Sequence, residues 1–242
     1  HPGQIGRVCP VTIPEGPRLG RIFSITRGAT IRNRCIEILD QSPLGGLGIS
    51  SASVPFLERN DANRTLMGVN MMRQWFEPAD PEPALVQTGF EPPEPRFWCG
   101  RNLLTAYISL GHDTYEDAAV VSESAARKLG FPQPLQVGDK LSNRHGAKSI
   151  VSRILPDSQM PRLPDQTPVD LCYSPMGVHS RMNVGQLHEA VLGRIAAIEG
   201  RPVIVPPFAA PSLPDMQARL MSLGLDPSGM EHLTLDGQRL PQ

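Results

Sequence analysis

The chain has 242 residues, room for one large domain or two small ones. Proline (26) and glycine (22) are abundant and aromatics make up only 5%, a mix that excludes a long-helix protein and favours many turns and short strands. The net charge of −1 excludes a uniformly basic surface, so any nucleic-acid contact has to be a local patch.

Residues 1–60 read as short strands between turns. Pro14-Glu-Gly-Pro17 and Pro43-Leu-Gly-Gly46 carry turn chemistry, and strands are predicted at 21–25 and 30–39. Asp61 is placed to cap a helix over 62–74, with Leu66, Met67, Asn70 and Met71 grouped around one side. Residues 77–95 hold six prolines, which rules out a regular helix or a central strand and predicts an extended, surface-laid connector. A buried strand is predicted at 102–109 and another at 118–121, after which Ser122 caps a short helix ending at Gly130. Further strands are predicted at 136–141, 147–155 and 168–173. Asn183 is read as the cap of the clearest helix, 184–199, whose Leu187, Val191, Leu192, Ile195 and Ile198 share a face and which Pro202 stops. A last helix over 213–223 begins near Pro214 and stops at Gly224, and Asp236-Gly237 is the turn of a terminal hairpin. Many short strands with a few helices describe a barrel-centred α+β chain.

Cys9, Cys35, Cys99 and Cys172 are widely spread and form no C-x-x-C pair, which argues against a zinc site and for free thiols of a cytoplasmic protein. No apolar run reaches the roughly 18 residues of a membrane span. A G-x-S-x-G elbow, an H-E-x-x-H helix and a G-x-x-x-x-G-K-[ST] loop are all missing.

The strongest chemical signal is Gly138-Asp-Lys140-Leu-Ser-Asn-Arg144-His145-Gly146-Ala-Lys148. Glycines let backbone N–H groups approach a ligand, and lysine and arginine supply the charge that phosphate oxygens need. This is a loop that holds phosphates and breaks no bond by itself. With Arg153 and Arg162 it makes the one local basic patch, and an ordinary solvated charged face is the competing reading.

The same stretch resembles a signature of the multisubunit RNA polymerase beta subunit, G-D-K-x-x-x-R-H-G-N-K-G. Three more blocks follow that family's pattern in order. Arg7-Val-Cys-Pro10-Val-Thr-Ile-Pro14-Glu15-Gly16-Pro17 resembles R-V-C-P-x-x-T-P-E-G-P. Residues 54–74, with Asp61-Ala62-Asn63-Arg64 and Leu66-Met67-Gly68, resemble P-F-L-x-x-x-D-A-N-R-x-L-M-G-x-N-M-x-R-Q. Residues 164–186, with Ser180-Arg181-Met182-Asn183, resemble the P-S-R-M-N-x-G-Q block. The resemblance covers most of residues 1–200 and implies a double-psi beta-barrel core. The segments it suggests are 1–76, strands and one helix; 77–96, the connector; 97–208, the barrel; and 209–242, a helix and hairpin. Because the chain starts at His1, not Met, within what looks like a family segment, a fragment or reduced version of a longer chain is expected.

The resemblance also implies roles. Lys140 and Lys148 match lysines near the RNA 3′ end and the nucleotide phosphates. Arg181 matches an arginine on the triphosphate, with pairing to a carboxylate such as Asp170 as the structural alternative. Glu116 and Asp117 match an acidic pair near a second magnesium. Arg64, near a helix N-terminus, matches an arginine reaching toward the phosphates. Lys140, Arg144 and His145 are implied nucleic-acid contacts, although a hydrogen-bonded structural role also suits His145. The acidic triad N-A-D-F-D-G-D is absent, so Mg2+ is expected on a beta-prime-type partner, with DNA template, RNA and nucleoside triphosphates as further partners and no membrane. Two departures stand out. His145-Gly146 is followed by Ala147-Lys148-Ser149 where the family has N-K-G, and only residues 123–137 fill the place of a long family insert. A non-catalytic binding scaffold of the same ancestry is the alternative function.

Overall fold

A five-stranded mixed sheet organises the second half of the chain and carries the motif loop at its edge. The computed structural model describes residues 2–74, 78 and 80–240. Its elements in chain order are β1 (Ala29–Arg32), β2 (Cys35–Ile38), α1 (Ile49–Ala52), α2 (Ala62–Met72), β3 (Val86–Gln87), β4 (Thr105–Tyr107), β5 (Ala118–Ser122), α3 (Glu123–Lys128), β6 (Lys140–Ser142), β7 (Lys148–Leu155), β8 (Leu171–Tyr173), α4 (Met176–Arg181), α5 (Gly185–Glu199), β9 (Val203–Ile204), α6 (Leu213–Ser222), β10 (Thr234–Leu235) and β11 (Gln238–Arg239). The result is a mixed α+β chain with several small sheets. The main sheet runs β4-β8-β5-β7-β6, with β4–β8 and β5–β7 parallel and the other two pairings antiparallel.

Local chemistry explains most elements. Asp61 caps α2 by accepting from the N–H groups of Asn63 and Arg64. Ser122 caps α3 through the N–H of Ala125, and Ser212 caps α6 through that of Asp215. Asp236 and Gly237 take positive φ and turn the β10–β11 hairpin.

Several sequence expectations change. The strand over 30–39 is a hairpin, because Asn33 and Arg34 both adopt positive φ (48° and 62°) and reverse the chain. At 21–25 there is only an isolated bridge from Ile25 to Val8. The strand expected at 102–109 is confined to β4, and that at 136–141 begins only at Lys140. Asn183 makes no cap. Its side chain donates to the carbonyl of His145 and accepts from Gln186, while Val184 holds the cap position. On α5, Leu192 and Ile195 are buried but Leu187 and Ile198 are exposed; the inward face runs through Gly185, Gln186, Leu192, Ile195 and Ala196.

The proline-rich connector is not confined to the surface. Val86 is 1% exposed and pairs in parallel with Val203. Short edge pairing suits a proline-bounded segment, since only two residues need their N–H groups. The boundary expected between 76 and 77 lies outside the described residues. Phe56, Val86, Leu192, Ile195, Val205, Met216 and Leu220 form one core cluster, so the first segment, the connector and the C-terminal helices pack together. A second cluster, with Val120, Met160, Val169 and Cys172, lies against the main sheet.

Candidate functional site

The motif loop is built around Asn143. Its Oδ1 accepts from the N–H of His145 (3.0 Å) and of Ala147 (3.1 Å), which folds the chain back between β6 and β7. Gly146 sits at φ +78°, and a Cβ there would lie 2.1 Å from the carbonyl oxygen of Arg64. A Cβ on Gly68 would lie 2.4 Å from the carbonyl oxygen of Arg144. Loop and α2 therefore meet backbone to backbone, a contact that only glycine permits at either position.

This fold divides the loop's charges. Lys140 stands opposite Ile150, and Ser142 opposite Lys148. Directly opposed residues share a face, and alternate residues along a strand do too, so Lys140 and Lys148 project from one face of the hairpin. They are diagonal neighbours, about 7–8 Å apart at the backbone. That face is exposed at both lysines, while Ser149 and Val151 point into the buried face. Among the described residues neither lysine has an ion-pair partner.

Arg144 and His145 point the other way. The Arg144 guanidinium donates to the carbonyls of Ser53 (3.0 Å) and Val86 (2.8 Å) and pairs with Glu189 and, at 3.7 Å, with Glu91. His145 is fully buried, with Nε2 on Glu189 and Nδ1 2.9 Å from the Asn60 amide. Asn60 Oδ1 accepts from the N–H of Gly185 at 3.0 Å, which leaves its NH2 to donate to Nδ1 and makes Nε2–H the donor to Glu189. Burial would raise the Glu189 carboxyl, but the Arg144 charge and the His145 hydrogen bond outweigh it and hold it at about 2. Arg144 and His145, two of the three side chains expected to touch nucleic acid, thus have protein partners. They tie the loop to α5, to the connector and to the segment before α2.

A second group lies where β5 begins. The parallel pairing of Ala118 with Ile150, and the bond from the Ile150 N–H to the Asp117 carbonyl (2.9 Å), place Asp117 beside the start of β7, close to Lys148 in register. Asp117 pairs with Arg181, the last residue of α4. Asp170 is not the partner of Arg181; it takes Lys128 (3.7 Å) and the N–H of Leu104 (2.9 Å). The other terminal nitrogen of Arg181 donates to the Tyr173 hydroxyl at 3.2 Å. Burial acts against the charge of Arg181, yet the bonds to Asp117 and Tyr173 leave it protonated more firmly than usual. Burial also pushes the Tyr173 hydroxyl up, against the pull of Arg181 and of the nearby Arg64 charge. Arg64 contacts the Met67 sulfur at 3.2 Å and, among the described residues, has no carboxylate partner. Glu116 is exposed and takes positive φ (51°) in the turn before β5.

The structure thus joins Asp117 to Arg181, puts Arg64 within electrostatic reach of Tyr173, and sets both lysines on one exposed face of the β6–β7 hairpin. Among the described residues no three His, Cys, Asp or Glu side chains gather in a way that would hold a metal. No helix is long and apolar enough to cross a membrane.

Glu189, Asn60 and Tyr173 escaped the sequence reading. Glu189 had a usable signal: it lies three residues before Leu192 and four after Gly185, on the inward face of α5. Asn60 had none, since its partners His145 and Gly185 are distant in sequence, and no local pattern marks Tyr173 as the partner of Arg181 eight positions on.

Residues 128–240 match the family RNA polymerase Rpb2, domain 6. The DNA-directed RNA polymerase subunit beta of Lactobacillus helveticus is 48% identical over 95 residues, which is 39% of this chain and 8% of that protein. The same subunit of Caldicellulosiruptor bescii is 47% identical over 95 residues, again 8% of its length. That of Synechococcus sp. strain CC9311 is 59% identical over 73 residues, 30% of this chain and 7% of the relative. The chain therefore aligns with a small part of these much longer proteins.

Proposed function

We propose, from the match of residues 128–240 to RNA polymerase Rpb2, domain 6, that this chain is a beta-type component of a DNA-directed RNA polymerase. Its role is to position nucleotide phosphates and the RNA 3′ end for nucleotidyl transfer. A beta-prime-type partner supplies the acidic triad and holds Mg2+; DNA template, RNA and nucleoside triphosphates complete the assembly, in the cytoplasm. We read the five-stranded sheet, with its parallel β5–β7 pairing, as part of a double-psi beta-barrel, and residues 97–208 as its extent.

One observation carries this reading. Lys140 and Lys148 share the exposed face of the β6–β7 hairpin without carboxylate partners among the described residues, and Arg64, likewise unpaired there, lies within electrostatic reach of Tyr173, the hydrogen-bond partner of Arg181. Cations in search of an anion, on strands pinned to a rigid loop, suit phosphate groups. In this reading Lys140 and Lys148 meet charge that grows on the phosphates during transfer, Arg181 and Arg64 grip the triphosphate, and Glu116 and Asp117 stand beside the partner's metal. The nucleophile is the RNA 3′-hydroxyl, and the protein contributes position and charge.

Reconstitution tests it. The chain alone is expected to incorporate no nucleotide, and addition of a chain carrying the triad is expected to start magnesium-dependent RNA synthesis. Synthesis by this chain alone, or none with the partner, would overturn the reading in favour of a binding scaffold.

A further inference from the structure

Arg181 is held by two partners of different character. Tyr173 is 4% exposed and lies beneath the guanidinium. A Cβ on Gly177 would come within 2.5 Å of its hydroxyl oxygen, so α4 closes over the ring only because that position is glycine. The Tyr107 ring packs edge-on against Tyr173, with centroids 6.2 Å apart. This hydroxyl cannot move without unpacking the end of the sheet. Asp117 is the opposite case. Its carbonyl is fixed by the Ile150 N–H, but its side chain is 41% exposed and precedes the first residue of β5. Rotation about its side-chain bonds carries the carboxylate off Arg181 into water and disturbs no packing.

We propose that Asp117 is a displaceable stand-in for an anionic phosphate ligand on Arg181, and that Tyr173 is the positioning residue that keeps the guanidinium aimed when the exchange occurs. The inference rests on the reading of Arg181 as a phosphate contact and adds how that contact is kept closed without ligand. A carboxylate and a phosphate offer the same paired acceptor oxygens to a guanidinium. The phosphate brings more charge than the carboxylate and feels the nearby Arg64 cation as well, so it displaces Asp117. Without phosphate, Asp117 neutralises Arg181 and keeps a half-buried cation from being left alone. The pair lowers affinity for any weak anion, because each must displace a carboxylate that is already in place.

Calorimetric binding of inorganic triphosphate to the full chain separates the two roles. Asp117→Asn removes the competitor and is expected to tighten binding roughly one-and-a-half- to fivefold, the range open to a partly exposed ion pair. Tyr173→Phe keeps the ring and loses only the hydroxyl, and is expected to weaken binding by a similar factor with an unchanged unfolding midpoint. Glu116→Gln removes the same charge one residue away from an exposed site and is the control for simple long-range repulsion, with a smaller gain expected. Equal gains for Asp117→Asn and Glu116→Gln, weaker binding by Asp117→Asn, or unchanged binding by Tyr173→Phe would each overturn the proposal. So would the absence of triphosphate binding by the wild-type chain. Nucleotide incorporation with the partner is read separately, so the polymerase reading can stand while this exchange falls.

Discussion

The two halves of the motif loop carry the same kinds of side chain and do opposite things with them. Lys140 and Lys148 stand on the exposed face of the β6–β7 hairpin without ion-pair partners among the described residues. Arg144 and His145, between them, are turned inward onto Glu189, Asn60 and backbone carbonyls. A cluster of basic residues in a sequence therefore need not be one binding patch. Here the inner pair makes the loop rigid, and rigidity is what the outer pair needs, because a flexible lysine stabilises developing charge only if its base is held in place.

The sharpest way to break this comparison is to remove Glu189. Glu189→Ala leaves the Arg144 charge and the buried His145 ring without their shared acceptor, and stability is expected to fall by about 3–5 kcal/mol in chemical denaturation. Lys140→Ala and Lys148→Ala are expected to leave the unfolding midpoint within about 0.5 kcal/mol of wild type, as surface changes do. In the reconstituted complex the same lysine changes are expected to lose roughly 2–4 kcal/mol each in barrier stabilisation. If Glu189→Ala unfolds no more easily than the lysine variants, the inner half is not a structural device.

Acid titration sharpens the contrast from the other side. Glu189 is held at about 2 in the folded chain against an ordinary 4.5. A carboxyl held low contributes its stability in full above the unfolded value and loses it as pH falls toward the folded one. The stability curve is therefore expected to fall between about pH 5 and pH 2, with Glu189 responsible for roughly 3 kcal/mol of the drop. Glu199, paired with Arg219 and Arg201 and also held at about 2, adds to the same limb. The difference between wild type and Glu189→Gln isolates the loop network; parallel curves over this range would show that Glu189 does not contribute.

How much of this was legible in the sequence follows the range of the interactions. Local signals read correctly: Asp61 and Ser122 do cap their helices, and Asp236-Gly237 does turn the last hairpin, because a cap or a tight turn involves residues within a few positions of each other. The Asn33–Arg34 reversal was missed because arginine in the left-handed region carries no composition signal. Asn183 looked like a cap, yet a carbonyl 38 positions away claims its side chain. For the site, the motif blocks supplied Lys140, Lys148, Arg64, Asp117 and Arg181 as candidates. The direction in which each basic side chain points was not in the motif. It depends on strand register for the lysines, and for Arg144 and His145 on a carboxylate more than 40 positions away on α5.

The smallest expected effect tests the outward half alone. Nucleic-acid affinity falls with salt in proportion to the phosphates a protein neutralises, close to one unit of log–log slope per contact. Lys148→Ala is expected to flatten that slope by roughly one unit, since its ammonium faces solvent and, among the described residues, no carboxylate competes for it. Lys128 is the matched control. It too is a partly exposed lysine, but it sits on α3 and lies 3.7 Å from Asp170. Its charge is already answered within the protein, so Lys128→Ala should leave the slope where it was while changing net charge by the same amount. Because the two variants are electrostatically equal at long range, any difference between them must come from contact. Equal slopes for Lys128→Ala and Lys148→Ala would mean that the exposed face of the hairpin meets no phosphate, and the division between inward and outward charges would then serve the fold alone.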